Sequence, residues 1–123
     1  MRRGEVWYAR FDPVQGSEAN KTRPCVIVSA DAGNRVAERL GRGVVTVVPL
    51  TKNVTRVYEF QALIPATQGT GLAHDSKAQA EQVRSLDVTR FDHRIGALSS
   101  EQMAAVDAAL VSHLALGTFG GDA

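Results

Sequence analysis

The chain has 123 residues, 44% of them hydrophobic and 22% charged, with a net charge of +1. That length and balance suit one globular domain over residues 1–123, and they exclude a low-complexity or uniformly basic chain. The single cysteine, Cys25, excludes an internal disulfide and fits a reducing compartment.

The opening "MRRGEVWYARFDP" lacks the apolar core of a secretory signal, and no apolar run approaches the ~20 residues of a membrane span. A cytoplasmic protein without membrane association is expected. Charge is unevenly spread. Residues 1–56 hold ten Lys/Arg against five Asp/Glu, and residues 57–123 hold four against eight. The halves are therefore +5 and −4, which hints at a basic face.

In chain order, "GEVWYARF" (Gly4–Phe11) is rich in β-forming residues and predicts a first strand that Pro13 ends. "DPVQGSEANKT" (Asp12–Thr22) has the composition of a loop. Pro24 lacks the N–H of a ladder and is placed at a strand's first residue; the apolar "CVIVS" after it reads as a strand buried on both faces. Asp31 is placed to cap a short helix through Leu40, with Gly41 as its stop. "GVVTVVPLT" (Gly43–Thr51) predicts a second buried strand. "RVYEFQALI" (Arg56–Ile64) alternates, with Tyr58, Phe60, Ala62 and Ile64 on one side. Pro65 to Asp75 is a loop. "SKAQAEQVRSL" (Ser76–Leu86) is rich in helix formers, so propensity alone favours a helix. "RIGAL" (Arg94–Leu98) predicts a short strand. Ser99 and Gln102 form a capping box, after which Met103, Val106, Leu110 and Leu114 line one helical face up to Gly117. "TFGGDA" reads as a frayed tail. Several short strands and one closing helix predict a small, partly open β-barrel.

Little in the sequence points to metal or phosphate-loop chemistry. His74, His93 and His113 are scattered without a ligand spacing, and no glycine-rich phosphate loop is present. No metal and no cofactor are expected. A lone cysteine among apolar residues reads as a small core residue rather than a nucleophile. Arg23 is different. Proline at 24 holds Arg23 extended, a stiff strand follows, and a small polar loop precedes it. A guanidinium so placed offers a planar fork of donors that matches a phosphate. "PLTKN" places Thr51, Lys52 and Asn53 at the end of another strand, where they can join it.

"RRGEVWYARFDPVQGSE", "RPCVIVS", "VVTVVPLT" and "EQVRSLD", in that order, resemble the MazF/PemK toxin family over roughly residues 3–116. The resemblance implies a mainly β fold. This would be a small SH3-like barrel of the CcdB/PemK type, with a C-terminal helix and one or two short helices. It implies that Ser76–Leu86 is a strand, against its propensity, and tertiary context often prevails over propensity. It also implies a toxin of a type II toxin–antitoxin module that acts as a homodimer. Such toxins are ribosome-independent endoribonucleases that cut single-stranded RNA at short sequences without metal.

By that resemblance Arg23 and Thr51 match the catalytic pair, stabilising charge on the phosphorane. A guanidinium is not an easy base, so the acceptor for the 2′-hydroxyl proton stays open, with Glu81 one candidate. Gly16, Ser17 and Glu18 match the flap over the RNA, and Ser76 and Gln82 match positions that meet bases. Lys52, and less clearly Lys77, could meet phosphates. Lys52, Lys77 and Ala78 depart from the residues commoner in relatives. The implied partner is a MazE-type antitoxin whose disordered acidic segment blocks the RNA groove. The alternative is a CcdB-like toxin that binds gyrase and cuts nothing, since fold does not dictate function. A plain SH3-like interaction module is a third reading, which the low aromatic content of 6% opposes.

Overall fold

A computed structural model describes residues 1–11 and 22–117. Its elements are β1 (Glu5–Arg10), β2 (Thr22–Ile27), α1 (Asp31–Leu40), β3 (Val44–Thr51), β4 (Gln61–Ile64), β5 (Ser76–Gln79), β6 (Arg84–Asp87), β7 (Phe91–Ala97) and α2 (Ser100–Leu114). Short 3₁₀ turns at Ala80–Gln82 and Val88–Arg90 flank β6. The expected loop at Asp12–Thr22 and the expected frayed tail fall on positions outside the described residues, apart from Thr22, which begins β2.

All pairings are antiparallel, in the order β4-β5-β3-β2-β1-β7, with β6 also on β3. β3 is the longest strand and has two partners along one edge. Its first half, Val44–Val47, pairs with β6, and its last residues, Leu50 and Thr51, pair with β5. The Ser76–Leu86 stretch is therefore extended, as the resemblance implied, but broken by a 3₁₀ turn into two strands. Helix propensity loses here because Ala78, Ala80 and Leu86 are buried against the sheet's cores.

The apolar runs in β2 and β3 face two cores. Val26, Val48 and Leu50 point one way, to join Val6, Ile64 and Val106 of α2. Cys25, Ile27, Val45 and Val47 point the other way, toward Ala9, Leu86 and Ala37 of α1. Strands covered on both faces read as continuous hydrophobic runs, which explains "CVIV" and "VVTVV". Buried Asn34 ties α1 to this layer: its Nδ2 donates to Ser29 O at 2.9 Å, and Ser29 Oγ accepts from Thr46 N at 3.0 Å.

The barrel stays open between β4 and β7, and the 65–75 loop bridges the gap. Ala97 N donates to Gly69 O at 3.0 Å. The approach is so close that a Cβ on Gly71 would lie 1.9 Å from Ile95 O, and Gly71 has φ +70°. Glycine is required there on both counts.

Several expectations need correction. Asp31 does not cap α1; the N-cap is Ala30, and Asp31 Oδ1 instead accepts from Arg3 N at 2.6 Å. Pro24 is the third residue of β2 rather than its first. It is tolerated because β3 pairs only with Cys25–Ile27, leaving β2 a single ladder neighbour at Pro24. The alternating Arg56–Ile64 run is strand only from Gln61, since Tyr58 and Phe60 stack on each other outside the ladder. The capping box of α2 is present, but its last turn runs past the core: Leu114 is 49% exposed, and the C-cap is Ala115 rather than Gly117.

Cys25 is fully buried, its Sγ donates to Trp7 O at 3.4 Å, and burial pushes its pKa up to about 12. A thiol raised that far stays protonated at any ordinary pH, and the thiolate is the reactive form. Iodoacetamide at pH 8 is therefore expected to leave native Cys25 unmodified and to alkylate it in denaturant, read by intact mass. Rapid alkylation of native protein would contradict this burial.

Candidate active site

Arg23 sits near the start of β2, opposite Ala9 of β1, and its side chain is exposed. The rigid hairpin fixes its backbone while the guanidinium extends beyond the core. Thr51 ends β3, three residues beyond the buried Val48, opposite Lys77 of β5. Both line a cavity of about 390 Å³ with Lys52, Ser76, Tyr8 and His74, floored by Leu50 and Leu72. Thr51 Oγ1 accepts from Asn53 N at 3.3 Å, which leaves its proton to donate. Ser76 Oγ donates to His74 O at 2.9 Å, fixing the loop that carries the imidazole to the cavity rim. Tyr8 rests against His93, ring centres 5.2 Å apart.

Arg23 also borders a second depression of about 350 Å³, with Gln79, Gln82, Arg84 and Phe11. The Arg84 guanidinium lies 5.6 Å from the Phe11 ring centre. Arg23 thus stands between two hollows, one richer in hydroxyls and the other in amides and cations. No hydrogen bond or ion pair to another described residue engages its guanidinium. A cation without a partner among the described residues, beside hydroxyl donors, is a site for an anionic oxygen.

The structure brings together Arg23, Thr51, Lys52 and Ser76, and places Gln82 in the adjoining hollow. It does not bring Glu81 to either. Glu81 Oε2 accepts from Gln61 Nε2 at 2.7 Å, while Oε1 is buried without a partner among the described residues. Lys77 is also turned elsewhere, its Nζ 2.5 Å from Arg56 O. Gly16, Ser17 and Glu18 lie outside the described residues. Tyr8, His74, Gln79 and Arg84 were not singled out from the sequence. Two had a usable signal: His74 is two residues from Ser76, so it falls on the same side of an extended chain, and Gln79 lies in the segment that supplies Gln82. Tyr8 is placed by its ladder pairings with Pro24 of β2 and His93 of β7.

A family model of PemK-like, MazF-like toxins of type II toxin–antitoxin systems matches residues 2–114. Endoribonuclease MazF9 of Mycobacterium tuberculosis is 54% identical over 116 residues, covering 94% of this chain and 98% of its own length. A crystal structure of MazF from Deinococcus radiodurans superposes with a TM-score of 0.73 at 25% identity, covering 94% of this chain and 97% of that one. An endoribonuclease from a mycobacterial species, solved with its cognate antitoxin, gives 0.72 at 20% identity over 94% and 96%. These neighbours share the mainly β fold, as expected for a barrel of this type, and the likeness to MazF proteins does not favour the gyrase-binding alternative. The chain belongs to the PemK-like, MazF-like toxin family of type II toxin–antitoxin systems.

Proposed function

We propose that the chain is the toxin of such a module, an endoribonuclease that cuts single-stranded RNA at short sequences, without ribosome or metal. The observation that supports it most is the convergence of Arg23 and Thr51 on one cavity. In the reaction the 2′-hydroxyl oxygen attacks the adjacent phosphorus and the 5′-oxygen leaves. The products are a 2′,3′-cyclic phosphate and a 5′-hydroxyl. Charge builds on the non-bridging oxygens as the phosphorane forms. The Arg23 fork and the Thr51 hydroxyl are placed to stabilise it, and each such donor is worth roughly 3–4 kcal/mol of barrier. Lys52, exposed at the cavity edge, would meet a flanking phosphate. Ser76 and Gln82 would read base edges from the two hollows, and Gly16, Ser17 and Glu18 would belong to a flap over the strand.

The active form is a homodimer in this reading. Val111, Leu114 and Leu116, all about half exposed at the end of α2, supply apolar surface for a second copy. A MazE-type antitoxin would neutralise the toxin by laying an acidic, disordered segment along the basic first half of the chain. The purified protein is expected to cut a long single-stranded transcript at a few discrete sites in excess EDTA, and to leave the 2′-O-methylated transcript intact. Cleavage of the methylated strand would rule out attack by the 2′-hydroxyl. An absolute requirement for added divalent metal would overturn the metal-independent reading.

A further inference from the structure

Beyond the cavity, the segment after Thr51–Lys52 carries an aromatic column flanked by cations. In "RVYEF", Arg56, Tyr58 and Phe60 recur at every second position just before β4, in a turn closed by Gln61 N donating to Tyr58 O at 2.9 Å. Tyr58 and Phe60 stack in parallel, with ring centres 5.2 Å apart and planes 3° apart. The Arg56 guanidinium lies 5.7 Å from the Tyr58 ring centre, and its Nη1 donates to the Tyr58 hydroxyl at 3.2 Å. Lys77 Nζ lies 6.0 Å from the same ring.

The column is rigidly mounted and its charges are unspent. Tyr58 N donates to Gln61 Oε1, and Lys77 Nζ donates to Arg56 O, so β4 and β5 hold the segment from two sides. Among the described residues neither Arg56 nor Lys77 forms an ion pair. Glu59, the nearest acid in the chain, instead accepts from Ser112 Oγ. Lys77 is only 8% exposed, whereas Tyr58 is 44% exposed, so an ammonium without a carboxylate backs an open ring. Lys77 also faces Thr51 directly across the β3–β5 ladder, about 5 Å away at the backbone. The cation behind the column is thus paired across the ladder with a residue that lines the cavity.

We propose that Arg56, Tyr58 and Phe60, backed by Lys77, form a stacking platform for unpaired bases of the RNA beyond the cleaved phosphodiester. The proposal rests on the endoribonuclease reading and adds a second contact region to it. Parallel rings and a guanidinium plane offer flat faces, which suit a nucleobase better than an aliphatic side chain. Arg56 is exposed and meets a flanking phosphate, while buried Lys77 adds positive charge beneath the Tyr58 ring. Because every base has a π-face, the platform adds affinity with little sequence preference.

The test uses uncleavable 2′-O-methyl RNA of random sequence, roughly 14 and roughly 5 nucleotides long, matched to common single-strand site sizes. Binding to the wild type, Tyr58→Ala and Arg56→Gln is read by fluorescence anisotropy, with light scattering for oligomeric state. The wild type should bind the longer RNA about ten-fold more tightly than the shorter, and each variant should lose most of that advantage. Affinity for the shorter RNA and the oligomeric state should not change. A length advantage that survives in both variants overturns the platform. So does a change of oligomeric state, which would make this face a protein interface, or an equal loss for both RNAs. These outcomes are separate from failure of the endoribonuclease reading, which shows as an uncut transcript.

Discussion

Arg23→Ala is expected to lower the rate of RNA cleavage by at least about 10²–10³-fold while leaving the protein folded. Arg23 is exposed, and no described residue depends on its guanidinium for a hydrogen bond or ion pair. Removing it should thus shift stability by no more than about 0.5 kcal/mol. In the transition state, however, the phosphorane loses its only forked donor among the residues of that cavity. Arg23→Lys keeps the charge but not the planar fork, so it should recover a minor part of the rate. The measurement is single-turnover cleavage of one labelled RNA, with thermal melting alongside. Activity within about three-fold of wild type in Arg23→Ala would remove Arg23 from the reaction, since a lost donor to a developing charge costs far more.

Gly71→Ala is expected to be the most damaging small substitution away from the site. The new Cβ would lie 1.9 Å from the Ile95 carbonyl oxygen and 2.7 Å from its carbon, both backbone atoms of β7. Gly71 also has φ +70°, a conformation that alanine adopts at a cost. Neither problem yields to a side-chain rotation, so the loop must leave β7 or the strand must move. A loss of about 3 kcal/mol or more follows from overpacking and backbone strain together. That corresponds to a fall in Tm of roughly 10 °C for a chain of this size. Gly33→Ala is the control. Gly33 lies inside α1, where an added Cβ meets nothing within 4 Å, so alanine there should raise stability by up to about 1 kcal/mol. Equal melting temperatures for Gly71→Ala and wild type would show that the loop does not seal the barrel. Because Leu72, Ala73 and His74 follow directly and line the cavity, Gly71→Ala should also weaken catalysis below its melting point.

The two sites differ in how far they could be read in advance. Arg23 announced itself because proline at 24 and an apolar run make a local statement: an extended, anchored backbone with a guanidinium at its edge. Thr51 was visible as the end of an apolar strand. Gly71 could be read as a loop glycine and nothing more, because what makes it essential is a strand 24 residues further on. Glu81 shows the opposite failure. Its place in "AEQ" beside Gln82 made it look available, yet the 3₁₀ turn at Ala80–Gln82 directs it to Gln61 of β4.

By itself the sequence determined the strands β1, β2 and β3, the helix α1, the capped start of α2, and Arg23 with Thr51 at strand ends. Those features rest on short-range causes: period, caps, proline geometry and continuous apolar runs. Only the tertiary structure decided that Ser76–Leu86 is extended and broken, that Tyr58 and Phe60 leave the ladder to stack, and which side chains share a cavity with Arg23. The reason is that helix propensity differs by only about 0.7 kcal/mol per residue between ordinary side chains. Burying Ala78, Ala80 and Leu86 against a sheet and completing β3's ladder outweighs that preference, and neither the sheet nor the ladder exists until distant segments meet.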